Sequence, residues 1–226
     1  MVHILELPGC FLRASSHAEV IHRLPQVIMD YLRWHYLHGG AIPKITNDFG
    51  FEVTEEFNNI GPFDPGDAAA LFTPEYQPIT LEEMEPFFSA MAYSRSDLLD
   101  LVNEIPDELL DWQPEPGVFS MRRILRHIGN AEEWYVSRIL TPDKLPDEWA
   151  NDENLPTDQF LEMERRTALV CLQNLTDTQR SSIFHPVHFT SHPTEAWALR
   201  KVLRRFIEHE REHTAQIINI LRDVKD

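Results

Sequence analysis

Three things are scarce in this sequence of 226 residues: cysteine, basic residues and long apolar runs. The two cysteines, Cys10 and Cys171, lie far apart, which excludes a disulfide framework and a zinc site built from thiolates. No apolar stretch approaches the roughly 20 residues that cross a bilayer, and the first residues lack the basic region of a signal peptide. We therefore expect a protein of the reducing cytoplasm that has no membrane partner.

The shortage of basic residues limits the partners of the protein. Lysine and arginine number 20 against 37 aspartates and glutamates, so the formal net charge is −17. Such a surface repels phosphate backbones, and we expect no nucleic-acid partner. Hydrophobic residues make up 42% of the chain, which is enough for the core of one large domain or two small ones.

The pattern of apolar residues divides the chain into three parts. Residues 1–56 mix short strand patterns with one helix, which predicts a small α/β unit. Residues 57–79 contain four prolines, and we expect them to form a connector. Residues 80–226 have helical periodicity throughout. The sequence thus predicts an α+β protein of two separable modules, in which residues 78–226 stay folded alone.

Within the first part, a capping pattern at Ser16 opens the predicted helix. Pro25 falls inside this helix and is expected to kink or split it. Further along, Phe49, Phe51 and Val53 alternate with smaller or polar residues, which is the period of a half-buried strand.

The third part contains four long segments with an apolar stripe. The predicted helices span about 81–104, 121–140, 157–174 and 194–223. Four helices of these lengths predict an all-α antiparallel four-helix bundle. Such bundles build their sites from side chains on facing helices.

The last predicted helix has a polar interruption in its apolar stripe. The stripe is apolar at both ends and carries His209, His213 and Gln216 in its middle. Two histidines at positions i and i+4 point the same way, and an unpartnered imidazole in a core is costly. Together with His127, which lies beside the stripe of the 121–140 helix, they predict a three-histidine site for a divalent ion, zinc or nickel above all. Three ligands leave a position for water or substrate.

Other histidine patterns leave alternatives open. The run His209-Glu-Arg-Glu-His213 matches the H-E-x-x-H motif of metalloproteases, in which Glu210 is the general base, although no third ligand follows it. In the segment before the last helix, His185, His188 and His192 form either a second metal site, the mouth of a pocket or ordinary loop packing.

Two groups of motifs carry a resemblance to a known family. The first group is Leu110-Asp-Trp112, Pro114-x-Pro116-Gly117, Ser120, His127 and Glu133-Trp134-Tyr135, and the second is Glu208-His209-x-x-x-His213-x-x-Gln216-Ile217. Both groups resemble DinB-like proteins, also called DinB/YfiT-like metalloenzymes, over about residues 80–226. The resemblance implies a four-helix bundle with His127, His209 and His213 as metal ligands. It also implies the chemistry of metal-dependent hydrolases or thiol transferases, the latter with a low-molecular-weight thiol as co-substrate.

The first 56 residues resemble HicB-like domains through Leu7-Pro-Gly-Cys10 and Tyr31-Leu32-x-Trp34. For this unit we expect a scaffolding or homodimer-forming role. The leading hypothesis for the whole chain is an enzyme that uses its metal on a small-molecule substrate. The alternative is a non-enzymatic metal- or ligand-binding protein whose HicB-like module mediates protein interaction.

Overall fold

A computed structural model of the chain describes residues 1–41, 49–57, 70–113, 115, 117–151, 154–190 and 192–224. Most of these residues are helical. The helices are α1 (His17–Leu37), α2 (Leu81–Asn103), α3 (Asp107–Leu110), α4 (Met121–Val136), α5 (Thr157–Gln173), α6 (Asp177–Ser181) and α7 (Leu199–Asp223), and the strands are β1 (Val2–His3) and β2 (Phe11–Leu12). Among the described helices, none combines the length and the apolar character that a bilayer crossing requires.

The N-terminal unit consists of a short antiparallel hairpin packed on α1. Strands β1 and β2 pair Val2 with Leu12 and His3 with Phe11. The Tyr31 hydroxyl of α1 donates a hydrogen bond of 2.7 Å to the carbonyl of Pro8 in the hairpin turn. The unit has a small core of its own, formed by Cys10, Leu12, Leu24, Ile28, Tyr31 and Leu32.

One expectation for this unit is wrong, and a second is wrong in part. Residues 49–54 form no strand, and the side chains of Phe51 and Val53 are 39% and 58% exposed. Alternation alone is insufficient because a strand needs a neighbouring edge to pair with. In addition, Pro25 does not split α1, which continues through it as one helix. Pro25 and Ile21, whose carbonyl loses its helical partner, are both exposed, so water can solvate that carbonyl. Of the predicted connector, residues 58–69 lie outside the described part of the chain.

The four predicted bundle helices correspond to α2, α4, α5 and α7. The largest difference is at the start of α7, which begins at Leu199 instead of residue 194. The backbone of Trp197 exchanges hydrogen bonds of 2.8 and 2.9 Å with Phe184. Because its N–H and C=O groups are used in this bridge, Trp197 cannot join the helix.

The prediction of an antiparallel bundle is wrong for two neighbouring helix pairs. Along α4 and α5, Arg122 contacts Thr157 and Glu132 contacts Arg165, so these helices run parallel. Helices α2 and α7 also run parallel, because Glu83 contacts Arg200 near the start of both helices and Arg95 contacts Glu210 further along both. Apolar periodicity contains no information about direction. The direction of α5 depends on the connection that follows α4. This connection is long enough to run back along the whole of α4, about 24 Å, so that α5 begins beside the first residues of α4.

The N-terminal unit docks on the side of α7 that the bundle leaves uncovered. Gly9, in the turn between the strands, has φ +83° and lies so close to α7 that a Cβ atom there would be 2.2 Å from Cγ2 of Ile207. His3 contacts Glu208 at 2.7 Å, and the guanidinium of Arg211 lies 4.0 Å from the ring centre of Trp34. As a result α7 is buried without interruption over residues 201–210.

Candidate metal centre

The three predicted ligand residues meet between α4 and α7. His209 and His213 lie one turn apart on α7, and His127 faces them from α4, which runs antiparallel to α7 here. Nε2 of His209 is 3.1 Å from Nε2 of His127 and 3.1 Å from Nε2 of His213. The ring centres are 4.4 to 4.8 Å apart. The imidazoles therefore converge through the same nitrogen of each ring.

Gln216 determines which nitrogen of His213 faces this centre. Its Oε1 atom lies 2.8 Å from Nδ1 of His213, one turn back along α7. An amide oxygen only accepts hydrogen bonds, so Nδ1 of His213 carries the proton and donates. The unprotonated Nε2 is then directed at His209 and His127. This is the arrangement in which a residue outside the ligand group orients a metal-binding imidazole.

The surroundings favour neutral imidazoles. His209 is 4% exposed, and its burial, together with the charges of His213, His127 and Arg205, lowers its pKa well below the usual value of 6.5. Burial also lowers the pKa of His127 and of His213. Neither His127 nor His213 is fully buried, so the centre is accessible from solvent on their side. Neutral imidazole is the form that binds metal.

Among the described residues, the group of side chains that could hold a metal ion contains these three histidines and no fourth histidine, cysteine or carboxylate. His185, His188 and His192 are exposed and belong to no such group of described residues. Of the three alternatives for these histidines, the second metal site therefore has no support among the described residues. The arrangement suits an ion with an open coordination position.

Glu210 does not face the centre, although the H-E-x-x-H pattern makes it a general base. It is 1% exposed and accepts hydrogen bonds from Arg95 of α2 and Arg165 of α5. Burial alone would raise its pKa, but Arg165 and Arg95 hold the pKa below the usual value. A carboxylate tied to two guanidinium groups is a poor base, which argues against the protease hypothesis.

These side chains are part of a closed ring of charges. Glu132 of α4 completes it by accepting hydrogen bonds from both Arg95 and Arg165. Each of the four long helices thus contributes one charged side chain, and two positive groups alternate with two negative ones. We call Arg95, Glu132, Arg165 and Glu210 the charge ring.

The sequence-based predictions did not include the charge ring, although the sequence contains a signal for it. Its members occupy positions within apolar stripes, as Arg95 does between Met91 and Leu98. A charge in such a position indicates a buried partner. The identity of the partner depends on how the helices are arranged in space.

Two comparisons with known proteins found a match. The model of the DinB superfamily matches residues 90–217, which is more than half of the chain and includes the three clustered histidines. A similar solved structure is YfiT from Bacillus subtilis, described as "a probable metal-dependent hydrolase with an unusual four-helix bundle topology". The two chains share 20% identity with a TM-score of 0.48, over 65% of this chain and 90% of YfiT.

The search of curated proteins found no match. The match to the family model begins at residue 90, so the HicB-like resemblance of residues 1–56 stays a prediction. The resemblance of the helical part is confirmed, and the chain belongs to the DinB superfamily.

Proposed function

We propose that this protein is a metalloenzyme that holds one divalent ion through His127, His209 and His213 and acts on a small molecule. The reaction class is metal-dependent hydrolysis or transfer of a thiol. The observation that carries the proposal is the convergence of three Nε2 atoms from two helices, with two separations of 3.1 Å.

The donor set fits a metal ion. A tetrahedral ion with bonds of about 2.0–2.1 Å to nitrogen separates neighbouring ligands by roughly 3.3–3.4 Å, close to the observed distances. Three neutral imidazoles suit zinc and nickel. The alternative, three rings bonded only to one another, leaves converging lone pairs in a partly buried place, which is unfavourable.

When bound, such an ion supplies Lewis acidity that polarises a carbonyl group and activates water or a thiol as nucleophile. The chain's own residues contribute orientation and access. Gln216 keeps the proton of His213 on Nδ1, and the incomplete burial of His127 and His213 leaves the centre open to solvent on one side. Hydrolysis and thiol transfer differ in which nucleophile enters from that side.

Several features favour a small-molecule substrate. The net charge of −17 opposes nucleic acid. The carboxylate that a protease needs is held in the charge ring by Arg95 and Arg165. A centre between two packed helices also admits compact molecules more readily than a folded polypeptide.

The first experiment is elemental analysis of protein purified without an affinity tag. We expect about one divalent ion per chain in the wild type and almost none in His213→Ala. The matched control is His185→Ala, which removes an exposed histidine of the loop. Equal metal content in His213→Ala and the wild type would refute the ligand assignment.

The second experiment is a screen of the metal-loaded protein with small esters and amides, and with electrophiles in the presence of low-molecular-weight thiols. Turnover that is lost in His213→Ala and retained in His185→Ala would support an enzyme. Absence of turnover together with a spectroscopically closed, four-ligand metal site would favour the binding-protein alternative.

For the N-terminal unit we keep the HicB-like resemblance and a homodimer as proposals. Light scattering of the full chain tests the assembly. A monomer at all accessible concentrations would exclude a dimer-forming role.

A further inference from the structure

We propose that Arg13, in the N-terminal unit, binds a carboxylate group of the substrate whose reacting group lies at the three histidines. The inference rests on the proposed function and narrows its substrate class to small carboxylic acids. It also makes the N-terminal unit a part of the substrate site.

Arg13 is held in place by the structure around it. It directly follows strand β2, whose Leu12 is 3% exposed. Arg23 of α1 donates a hydrogen bond of 3.1 Å to the carbonyl oxygen of Arg13. Since β2 pairs with β1, and His3 of β1 contacts Glu208 of α7, the backbone that carries Arg13 is fixed against the metal-ligating helix.

The side chain of Arg13 contacts α7 at a residue next to the histidine centre. Its Nε donates to Glu212, the residue immediately before His213. Glu212 lies three residues after His209 and four residues before Gln216, so its side chain neighbours both of them on the surface of α7.

Of the side chains of Arg13, Glu212 and Arg205, that of Arg13 is best exposed to an incoming molecule. Its side chain is 42% exposed, compared with 23% for Glu212 and 3% for Arg205. Arg205 is also engaged by Glu208 and by the Tyr135 hydroxyl. A substrate that approaches from solvent therefore meets the guanidinium of Arg13 beside the accessible side of the centre.

The chemistry of the guanidinium selects a carboxylate. Arginine presents five N–H donors in a planar fork that matches carboxylate geometry. Glu212 already offers it one carboxylate and so holds the fork in a defined orientation. In a chain of net charge −17, a cation beside the centre offsets the general repulsion of anions. Because the site is partly exposed, we expect a gain of about five- to tenfold in affinity.

The test uses the full chain loaded with Co²⁺ and two metal-binding probes. Acetohydroxamate has no charge at its far end, whereas the monohydroxamate of succinic acid carries a carboxylate there. Titrations are followed by the visible absorption of Co²⁺. The wild type should bind the carboxylate probe about five- to tenfold more tightly. Arg13→Gln should lose this preference and keep its affinity for acetohydroxamate, which also shows that the variant is folded.

The matched control is Arg33→Gln, which removes the same charge from an exposed position on α1 and should keep the preference. An equal preference in Arg13→Gln, or none in the wild type, would overturn the role of Arg13 while leaving the open metal site intact. Loss of both probes in Arg13→Gln alone would show a structural role and also overturn it. If neither probe changes the wild-type spectrum, the metal is not open, and the proposed function fails together with this inference.

Discussion

Two groups of polar side chains meet on α7, and they differ in how fully their hydrogen-bonding atoms are paired. Glu210 belongs to the charge ring, in which each carboxylate accepts hydrogen bonds from two arginines. His209, the preceding residue, belongs to the histidine centre, in which three nitrogen atoms face one another. Successive helix residues point about 100° apart, so one helix serves both groups without mixing them.

This difference distinguishes a group of side chains that stabilises the fold from one that is able to bind a ligand. In the charge ring, charges of opposite sign neutralise one another, and the remaining donors reach backbone carbonyls, as Arg165 Nη1 does to Met91 at 2.8 Å. Such a group has no capacity for a ligand. The histidine centre has converging acceptors and solvent on one side, which is the property of a binding site. Completeness of hydrogen bonding thus distinguishes the structural group from the functional one.

The largest effect is expected from breaking the charge ring. Glu210→Ala leaves Arg95 and Arg165 buried with one carboxylate fewer, which should cost about 3–5 kcal/mol of unfolding free energy. Urea denaturation measures this loss. Glu162→Ala, which removes an exposed glutamate of α5, should change the free energy by less than about 0.5 kcal/mol. A comparable loss in metal-free His213→Ala would contradict the distinction between the two groups.

Removal of the N-terminal unit should have the next largest effect. The sequence predicts that residues 78–226 stay folded alone, but the structure places Gly9 and His3 directly on α7. Exposure of Ile207 alone should cost about 2 kcal/mol. We therefore expect a helical fragment whose urea midpoint is clearly lower than that of the full chain. An unchanged midpoint would show that the two modules are energetically independent.

A smaller effect is expected from Gln216→Ala, which tests whether Gln216 orients His213 at the histidine centre. Without the amide oxygen, His213 is no longer held with Nε2 toward the metal. The affinity for Zn²⁺ should fall about 10- to 100-fold, as measured by competition with a chelator, while the unfolding free energy of the metal-free protein changes little. Asn219→Ala, at an exposed amide on the same helix, should leave the affinity unchanged. Equal affinities in both variants would contradict the orienting role.

The smallest expected effect concerns the pH at which the affinity for zinc begins to fall. Because burial lowers the pKa of all three histidines, they stay neutral as the pH falls through the ordinary value of 6.5. Zinc affinity should therefore be nearly constant from pH 8 to 6.5 and fall only below about pH 6. The metal-free fold should lose stability as the pH falls below 6.5, since the histidines of the unfolded chain bind protons from there on and those of the folded chain do so only at lower pH. Half-loss of zinc affinity at or above pH 6.5 would contradict neutral, buried ligands.

Local patterns predicted the elements of the bundle well. The sequence predicts α2 over about 81–104, and the helix spans Leu81–Asn103. The prediction is accurate because a capping box and a continuous apolar stripe are both properties of neighbouring residues. The strand pattern at 49–54 failed for the opposite reason, since a strand depends on a partner elsewhere in the chain. Features that depend on distant partners include the charge ring, the parallel direction of α4 and α5, and the docking of Gly9 on α7.

The sequence by itself determined the family, the helices and the three histidines of the candidate centre. Spacing of three and four residues places His209 and His213 on one face, and the motif match adds His127. The tertiary structure decided which charges accompany them: Glu210 turns away into the charge ring, and Arg13 approaches Glu212 from the N-terminal unit. The physical reason is that helical periodicity depends on bonds between near neighbours, whereas the pairing of charges depends on which helices and strands come to lie side by side.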